Sequence, residues 1–376
     1  MSLLMQRLVA KPIKYAADAL VRGLVRVVPA LKATQIYSVS LPALSPAYAL
    51  PLNFGQLAKR QQDDYRNIFA PATAAVFVLN DVYVAQQGAV FKNFSLFSPT
   101  LHPGSESSFQ DTFLLKQWLG KVKQLPPEEA IVALAYNQYS LINYYHWIIE
   151  TLPRLLALRE KYPGCALLVP EPTPEYIRVS AAIFGFTKLV GITKDAVLKV
   201  PNLLIPYATP SHWGLTYGYE EGGVINEIRR EVVAALQLPE VQPHRRLYIS
   251  RSRANARRLL NEEAVQTLVK QYEFEVVYFE GMSFREQVAL MQQAAVVLGV
   301  HGANLTNLVF MQPGTQVIEM MSAEINNLTY YRLATYLSIG YYSVAYEIVE
   351  SNTARLFADV LVDTDELATV LAMLPK

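Results

Sequence analysis

Apolar and polar positions alternate between residues 74 and 97 with the period of half-buried strands. Ala75-Val76-Phe77-Val78-Leu79 and Val82-Tyr83-Val84 are two such runs, and Asn80-Asp81 between them predicts a turn. The rhythm then changes: short apolar runs alternate with helical periodicity, the signature of βαβ units on a parallel sheet. Residues 131–136 and 165–169 read as buried strands flanking a helix over about 143–161. A proline- and tyrosine-rich passage follows, through Pro201, Pro206, Pro210 and Trp213 to Gly222-Gly223, and predicts a domain junction.

Beyond the junction the alternation sharpens. Helices are expected over 220–236 and 262–271, and strands over 246–250, 274–279, 296–300 and 315–320. Ser283 with Glu286 forms a capping box that opens another helix through Gln293. A short helix is expected over 303–311, and Asp363 caps the last one. No internal repeat or low-complexity tract interrupts the pattern. The fold class is α/β, in two domains with a cleft between them.

Composition narrows this little. The chain has 376 residues, 52% of them hydrophobic and 17% charged, which suits two sizeable cores. A formal net charge of +1 supplies no field for nucleic acid. The single cysteine, Cys165, excludes an intrachain disulfide framework and fits a reducing compartment. No uninterrupted apolar run reaches the roughly 18 residues of a membrane span. Residues 1–32 carry Arg7, Lys11, Lys14, Arg22, Arg26 and Lys32 against Asp18 alone. This basic amphipathic segment reads first as an ordinary solvated helix packed on the domain, with peripheral contact to an anionic membrane as the alternative.

Three clusters could carry chemistry. In the first, Asn143, His146, Glu150 and Arg154 fall on one helical stripe, opposite Tyr145, Ile149, Leu152 and Leu156. The polar groups share one face, the apolar face can pack on the sheet, and Pro153 should kink or divide the helix. A carboxylate one turn from a histidine orients the imidazole as a general base, though a satisfied polar face explains the spacing too. In the second, a strand ends at Ser250 and Arg251, Arg253, Arg257 and Arg258 follow before Asn261, the expected cap of the next helix. Arginines in a loop at the carboxyl end of a parallel strand suit a diphosphate, with Arg251 and one of Arg257 or Arg258 the preferred pair. In the third, Leu298-Gly299-Val300 runs into His301-Gly302-Ala303-Asn304, with Asn307 one turn on. Gly302 permits close backbone approach, the helix start offers amides to phosphate, and His301 could donate to it. Glu319, ending the next strand, is placed to accept from ribose hydroxyls.

Other sites fail on pattern. There is no dinucleotide or P-loop glycine motif, no zinc-binding spacing and no nucleophile elbow. Asp63-Asp64 lies in polar, loop-like sequence.

Taken together, the clusters resemble glycosyltransferase family 61. The likeness rests on Asn143-x-x-His146-x-x-x-Glu150, on Ile249-Ser250-Arg251 with Arg257-Arg258-x-x-Asn261-Glu262, and on His301-Gly302-Ala303-x-Leu305-Thr306-Asn307. It covers about residues 130–320. It implies a GT-B architecture of two Rossmann-like domains, a nucleoside-diphosphate sugar donor, UDP-linked, and inverting transfer to a hydroxyl of a glycan or glycolipid. The expected division is then a basic segment over 1–32, an acceptor-side domain over 33–215 and a donor domain over 216–376 whose last helix packs back on the first domain. Many relatives carry Asp where this chain has Glu150. Plant and animal relatives work in the secretory pathway behind an anchor, so this chain reads as a bacterial-type cytoplasmic member acting in surface or capsular polysaccharide synthesis.

In the expected mechanism Arg251, Arg257 or Arg258, His301 and the amides after Gly302 hold the diphosphate, and no metal or other cofactor is required. His146, oriented by Glu150, takes the acceptor's proton. An epimerase or hydrolase of the same plan, a catalytically silent nucleotide-sugar-binding scaffold and a membrane-peripheral partner protein are the alternatives.

Overall fold

The structure is a computed structural model that describes residues 34–39, 50–57, 59, 62, 74–93, 95–97, 100–101, 122–125, 129, 131–141, 143–194, 196–208, 222–322, 327–349 and 358–375. The basic segment over 1–32, Asp63-Asp64 and the stretch through Pro210 and Trp213 lie outside the described residues. Within them the chain forms two compact units: residues 34–39 with 74–208, and residues 50–57 with 222–375. No helix among the described residues is long and apolar enough to cross a membrane.

The first unit is a mixed sheet of nine strands. These are β1 (Thr34–Val39), β2 (Ala74–Ala85), β3 (Val90–Lys92), β4 (Ser95–Leu96), β5 (Val122–Gln124), β6 (Val132–Ala133), β7 (Ala166–Glu171), β8 (Leu189–Thr193) and β9 (Val197–Ala208). They run in the order β4-β3-β2-β9-β6-β7-β8, with β1 also on β2 and β5 also on β9. β2 and β9 pair antiparallel along their whole length, from Ala74 opposite Ala208 to Ala85 opposite Val197. Asn80-Asp81 is therefore not a turn. The strand runs through it, and Asp81 takes a left-handed φ of 53° across from Pro201, which has no N–H for the ladder. The chain reverses instead at residues 86–89, where Gly88 has φ 78° and a Cβ would stand 2.9 Å from the Tyr136 carbonyl oxygen.

Two further expectations change here. Only Val132–Ala133 of residues 131–136 pairs as strand, although the apolar run Leu134–Tyr136 that follows is buried. The proline-rich passage begins as the long strand β9, and Pro201 and Pro206 belong to it.

The second unit is a six-stranded sheet built from β10 (Arg245–Ile249), β11 (Phe274–Val277), β12 (Ala294–Val300), β13 (Gln316–Ser322), β14 (Gly340–Ile348) and β15 (Val360–Val362). The order is β11-β10-β12-β13-β14-β15, parallel throughout except for β15. Such strands are buried on both faces, which is why Val296–Val300 reads as an unbroken apolar run. Helices Glu262–Lys270 and Phe284–Gln292 link the first three strands. Val265 and Val269, one turn apart on the first of these, join Tyr248, Leu298, Ile318 and Met320 in the core. Each such side chain contributes about 1.5–3 kcal/mol on full burial. Ser283 and Glu286 make the expected reciprocal capping box. Asn261 precedes its helix but makes no side-chain cap; it bonds Val362 on β15 instead. Asp363 caps the last helix, Thr364–Leu371, whose Leu367, Val370 and Leu371 enter this unit's own core.

Residues 50–57 belong to the second unit, which a division at residue 216 does not anticipate. The Leu52 amide donates to the Tyr341 carbonyl at 2.7 Å, and the Asn53 side chain bonds both the N–H and the C=O of Ser343. This strap covers backbone of β14 that lies before its pairing with β15 begins at Tyr346.

Candidate functional site

In the second unit, β10 sends its connection one way, to β11, and β12 begins the succession that runs the other way. The carboxyl ends of β10 and β12 thus form a topological switch point, where open α/β sheets bind ligands. The loops leaving these two ends carry the second and third sequence clusters. Arg251 follows Ser250, whose amide bonds the Val277 carbonyl. His301 follows β12, and its amide bonds Met320 of β13.

Arg251 and Arg257 converge on Gly302. Arg251 donates through Nε to the Arg257 carbonyl at 3.2 Å and through Nη2 to the Ala256 carbonyl at 2.8 Å. Its Nη1 remains, lying over Gly302: a Cβ there would collide with it and come within 3.7 Å of Nη2 of Arg257. Arg257, at a left-handed φ of 53°, donates through Nη1 to the His301 carbonyl at 2.9 Å, and its buried Nε has no hydrogen-bond partner. Neither guanidinium has a carboxylate at ion-pair distance among the described residues. Burial, then the neighbouring Arg257 charge, lowers the pKa of Arg251. Arg258 points elsewhere and pairs with Asp359 at 2.8 Å. The helix opening at Ala303 is a 3-10 helix through Phe310, so the amides of Ala303 and Asn304 start it without an intrahelical acceptor. Asn307 is buried, bonding Gln287 and the Asn304 carbonyl.

Glu319 has a different place from the one expected. It is fully buried; Oε1 meets Nδ1 of His301 at 2.5 Å and Oε2 accepts from the Tyr341 hydroxyl at 2.6 Å. Both oxygens are engaged within the fold, so it orients the imidazole rather than offering a carboxylate to ribose. With Nδ1 donating, Nε2 of His301 is left for a ligand. The Tyr330 ring packs edge-on against the imidazole at 5.1 Å. Tyr341 and Tyr330 escaped the sequence reading because their partners lie on separate strands and helices.

The first unit holds a second His–Glu pair. Residues His146–Thr151 form a π-helix that passes into the α-helix Leu152–Arg159 just ahead of Pro153. The wider π turn brings residues four apart nearly into line, and His146 Nδ1 meets Glu150 Oε1 at 2.6 Å. Glu150 and Arg154 are buried, so the polar stripe turns inward. Arg154 donates to the Ala135 carbonyl, and Glu150 Oε2 is buried with no hydrogen-bond partner. Ser140 and Thr151 hydroxyls cover the His146 carbonyl, at 3.3 and 3.2 Å. Tyr139 and Tyr145 flank the imidazole at 5.3 and 5.2 Å. Asn143 accepts from the Tyr145 amide at the start of this helical stretch.

The family described as Glycosyltransferase 61 matches residues 144–318, a stretch that holds His146, Glu150, Arg251, Arg257 and His301. Over 138 residues the chain is 26% identical to an EGF domain-specific O-linked N-acetylglucosamine transferase of Drosophila melanogaster, covering 34% of this chain and 26% of that protein. Over 93 residues it is 31% identical to a beta-1,2-xylosyltransferase of Oryza sativa subsp. japonica, covering 25% of this chain and 16% of the other. A beta-1,2-xylosyltransferase of Arabidopsis thaliana is 33% identical over 63 residues, 17% of this chain and 12% of its own length. The chain thus spans about a quarter or less of the curated relatives it matches. Residues 144–318 of the chain are thus similar to the glycosyltransferase 61 family.

Proposed function

We propose that this chain is an inverting glycosyltransferase that moves a sugar from a nucleoside-diphosphate donor, UDP-linked, to a hydroxyl of a glycan or glycolipid. The observation that carries the donor assignment is the pair Arg251 and Arg257, two part-buried cations over Gly302 with no carboxylate between them. A bound diphosphate supplies the missing negative charge and takes donors that the fold leaves aimed at one spot. Each charge-assisted bond contributes about 1.5–3 kcal/mol. The amides of Ala303 and Asn304 add a helix start beside them.

In this reading these groups stabilise charge on the leaving diphosphate as its bond to the anomeric carbon breaks. The acceptor oxygen bonds that carbon from the opposite side, which inverts it. His146, with Nδ1 held by Glu150, takes the acceptor's proton on Nε2. Two guanidiniums already neutralise the diphosphate, so transfer is proposed to proceed without a divalent metal. The relatives' names support sugar transfer but differ in the sugar, N-acetylglucosamine in one and xylose in the others.

Calorimetric titration with a panel of nucleoside diphosphates and their sugars, with and without a chelator, tests this. One diphosphate should bind at micromolar strength, survive chelation and be lost in Arg251→Ala. No binding by the unaltered chain would overturn the donor site, and donor consumption without any acceptor would make the enzyme a hydrolase.

A further inference from the structure

We propose that Arg253, held across the ring of Tyr278, is the stacking platform for the nucleobase of the donor; the inference rests on the donor reading above. The Arg253 guanidinium carbon lies 3.9 Å from the Tyr278 ring centroid, a distance at which the group rests on the ring face. Arg253 is exposed and Tyr278 half-buried, so the ring fixes one side of the guanidinium and the other side stays open to solvent. A planar guanidinium is a surface on which bases stack, and one already immobilised loses less freedom on binding.

Position selects this pair. A donor whose diphosphate lies over Gly302 extends to one side of the switch point or the other. Toward β13 and β14 stand Tyr330, Glu319 and Tyr341, all buried, with Glu319 and Tyr330 against His301 and Tyr341 bonded to Glu319. Toward β11 the bond from the Ser250 amide to the Val277 carbonyl sets Tyr278 beside the start of the arginine loop, with Arg253 two residues beyond Arg251. There an accessible planar surface remains. Glu280, exposed and near enough to Arg251 to favour its charged form, adds a hydrogen-bond acceptor on the same side.

The test titrates the full chain with uridine diphosphate, guanosine diphosphate and inorganic pyrophosphate, using Arg253→Ala, Arg253→Lys and Arg251→Ala. Because Arg253 is exposed, its variants keep the fold, which circular dichroism verifies. Affinity for the preferred nucleoside diphosphate should fall roughly five- to a hundredfold in both Arg253 variants, with pyrophosphate affinity little changed. Lysine keeps the charge and lacks the plane, so recovery in Arg253→Lys would overturn stacking. An equal loss of pyrophosphate would make Arg253 a phosphate ligand and overturn the platform as well. If Arg251→Ala loses every ligand while the Arg253 variants behave as wild type, the platform alone fails. If the unaltered chain binds none of the three, the donor reading fails with it.

Discussion

Arg257 donates to the carbonyl of His301 at 2.9 Å, tying the loop that follows β10 to the loop that follows β12. Arg258, its neighbour, is turned away to Asp359. Adjacent arginines therefore have separable consequences. Arg257→Ala should weaken diphosphate binding about 10- to 100-fold, the range of one to two charge-assisted bonds, whereas Arg258→Ala should leave it within about twofold. Calorimetry on the two variants checks the contrast.

The Arg258–Asp359 pair has a pH signature of its own. Hydrogen bonds and charge from Arg258 hold the Asp359 carboxyl below its usual range. A depressed pKa stabilises the fold above the unfolded value, about 3.9, and that stability is lost as pH falls through the folded one. Asp359→Asn should therefore lower the thermal midpoint at neutral pH, and the gap should close on acidification. A gap that is constant across the range would mean the carboxyl is not the group involved.

Gly302 is extended rather than left-handed, at φ 166° and ψ 170°, so its backbone suits any residue. What it lacks is room, because a methyl group would collide with Nη1 of Arg251. Gly302→Ala should fold normally yet bind diphosphate at least about tenfold more weakly, since Arg251 is pinned by two carbonyls and yields only by breaking those bonds. Unaltered affinity would show that the cradle is empty of ligand.

Glu319→Gln leaves the size of the side chain but removes the charge that sets the His301 tautomer. Loss of such an outer partner typically costs 10- to 100-fold in activity, about the effect expected on kcat here. Tyr341→Phe should keep most of the turnover but strip one oxygen of Glu319 of its donor, destabilising the fold by about 1–3 kcal/mol. Steady-state kinetics and chemical denaturation separate the two roles.

His146→Ala should reduce transfer by about 10²- to 10⁴-fold, the usual worth of a general base, while donor affinity stays nearly unchanged. Glu150→Gln should lose less. Turnover equal to wild type in His146→Ala would remove the imidazole from the mechanism.

Much of the second unit could be read from the chain because its determinants are local. Parallel strands buried on both faces give unbroken apolar runs, and Ser283 and Glu286 announce a helix start three residues apart. Arg251, Arg257 and His301 are legible as candidates because the loops that carry them directly follow such strands in the sequence. The misreadings arise where a distant residue decides the outcome. Glu319 has the position of a ribose acceptor in the sequence, but Tyr341, from the next strand, occupies its second oxygen. The spacing puts Glu150 and Arg154 on one polar face, but that this face is buried depends on the packing of the whole segment, which periodicity alone does not carry. Asn80-Asp81 has the composition of a turn, but its fate was set by β9, more than a hundred positions on.

The strap at Leu52 and Asn53 bears on the order in which the chain can fold during synthesis. Its partner Ser343 lies 290 residues later. At a usual pace of about 5–20 residues per second, the ribosome needs roughly 15–60 s to produce that partner. Throughout this interval Asn53 has been made but has nowhere to dock, and the sheet it completes is still being translated. The second unit therefore cannot close in the vectorial order of the gene: its earliest piece must wait for β14 before it finds a seat.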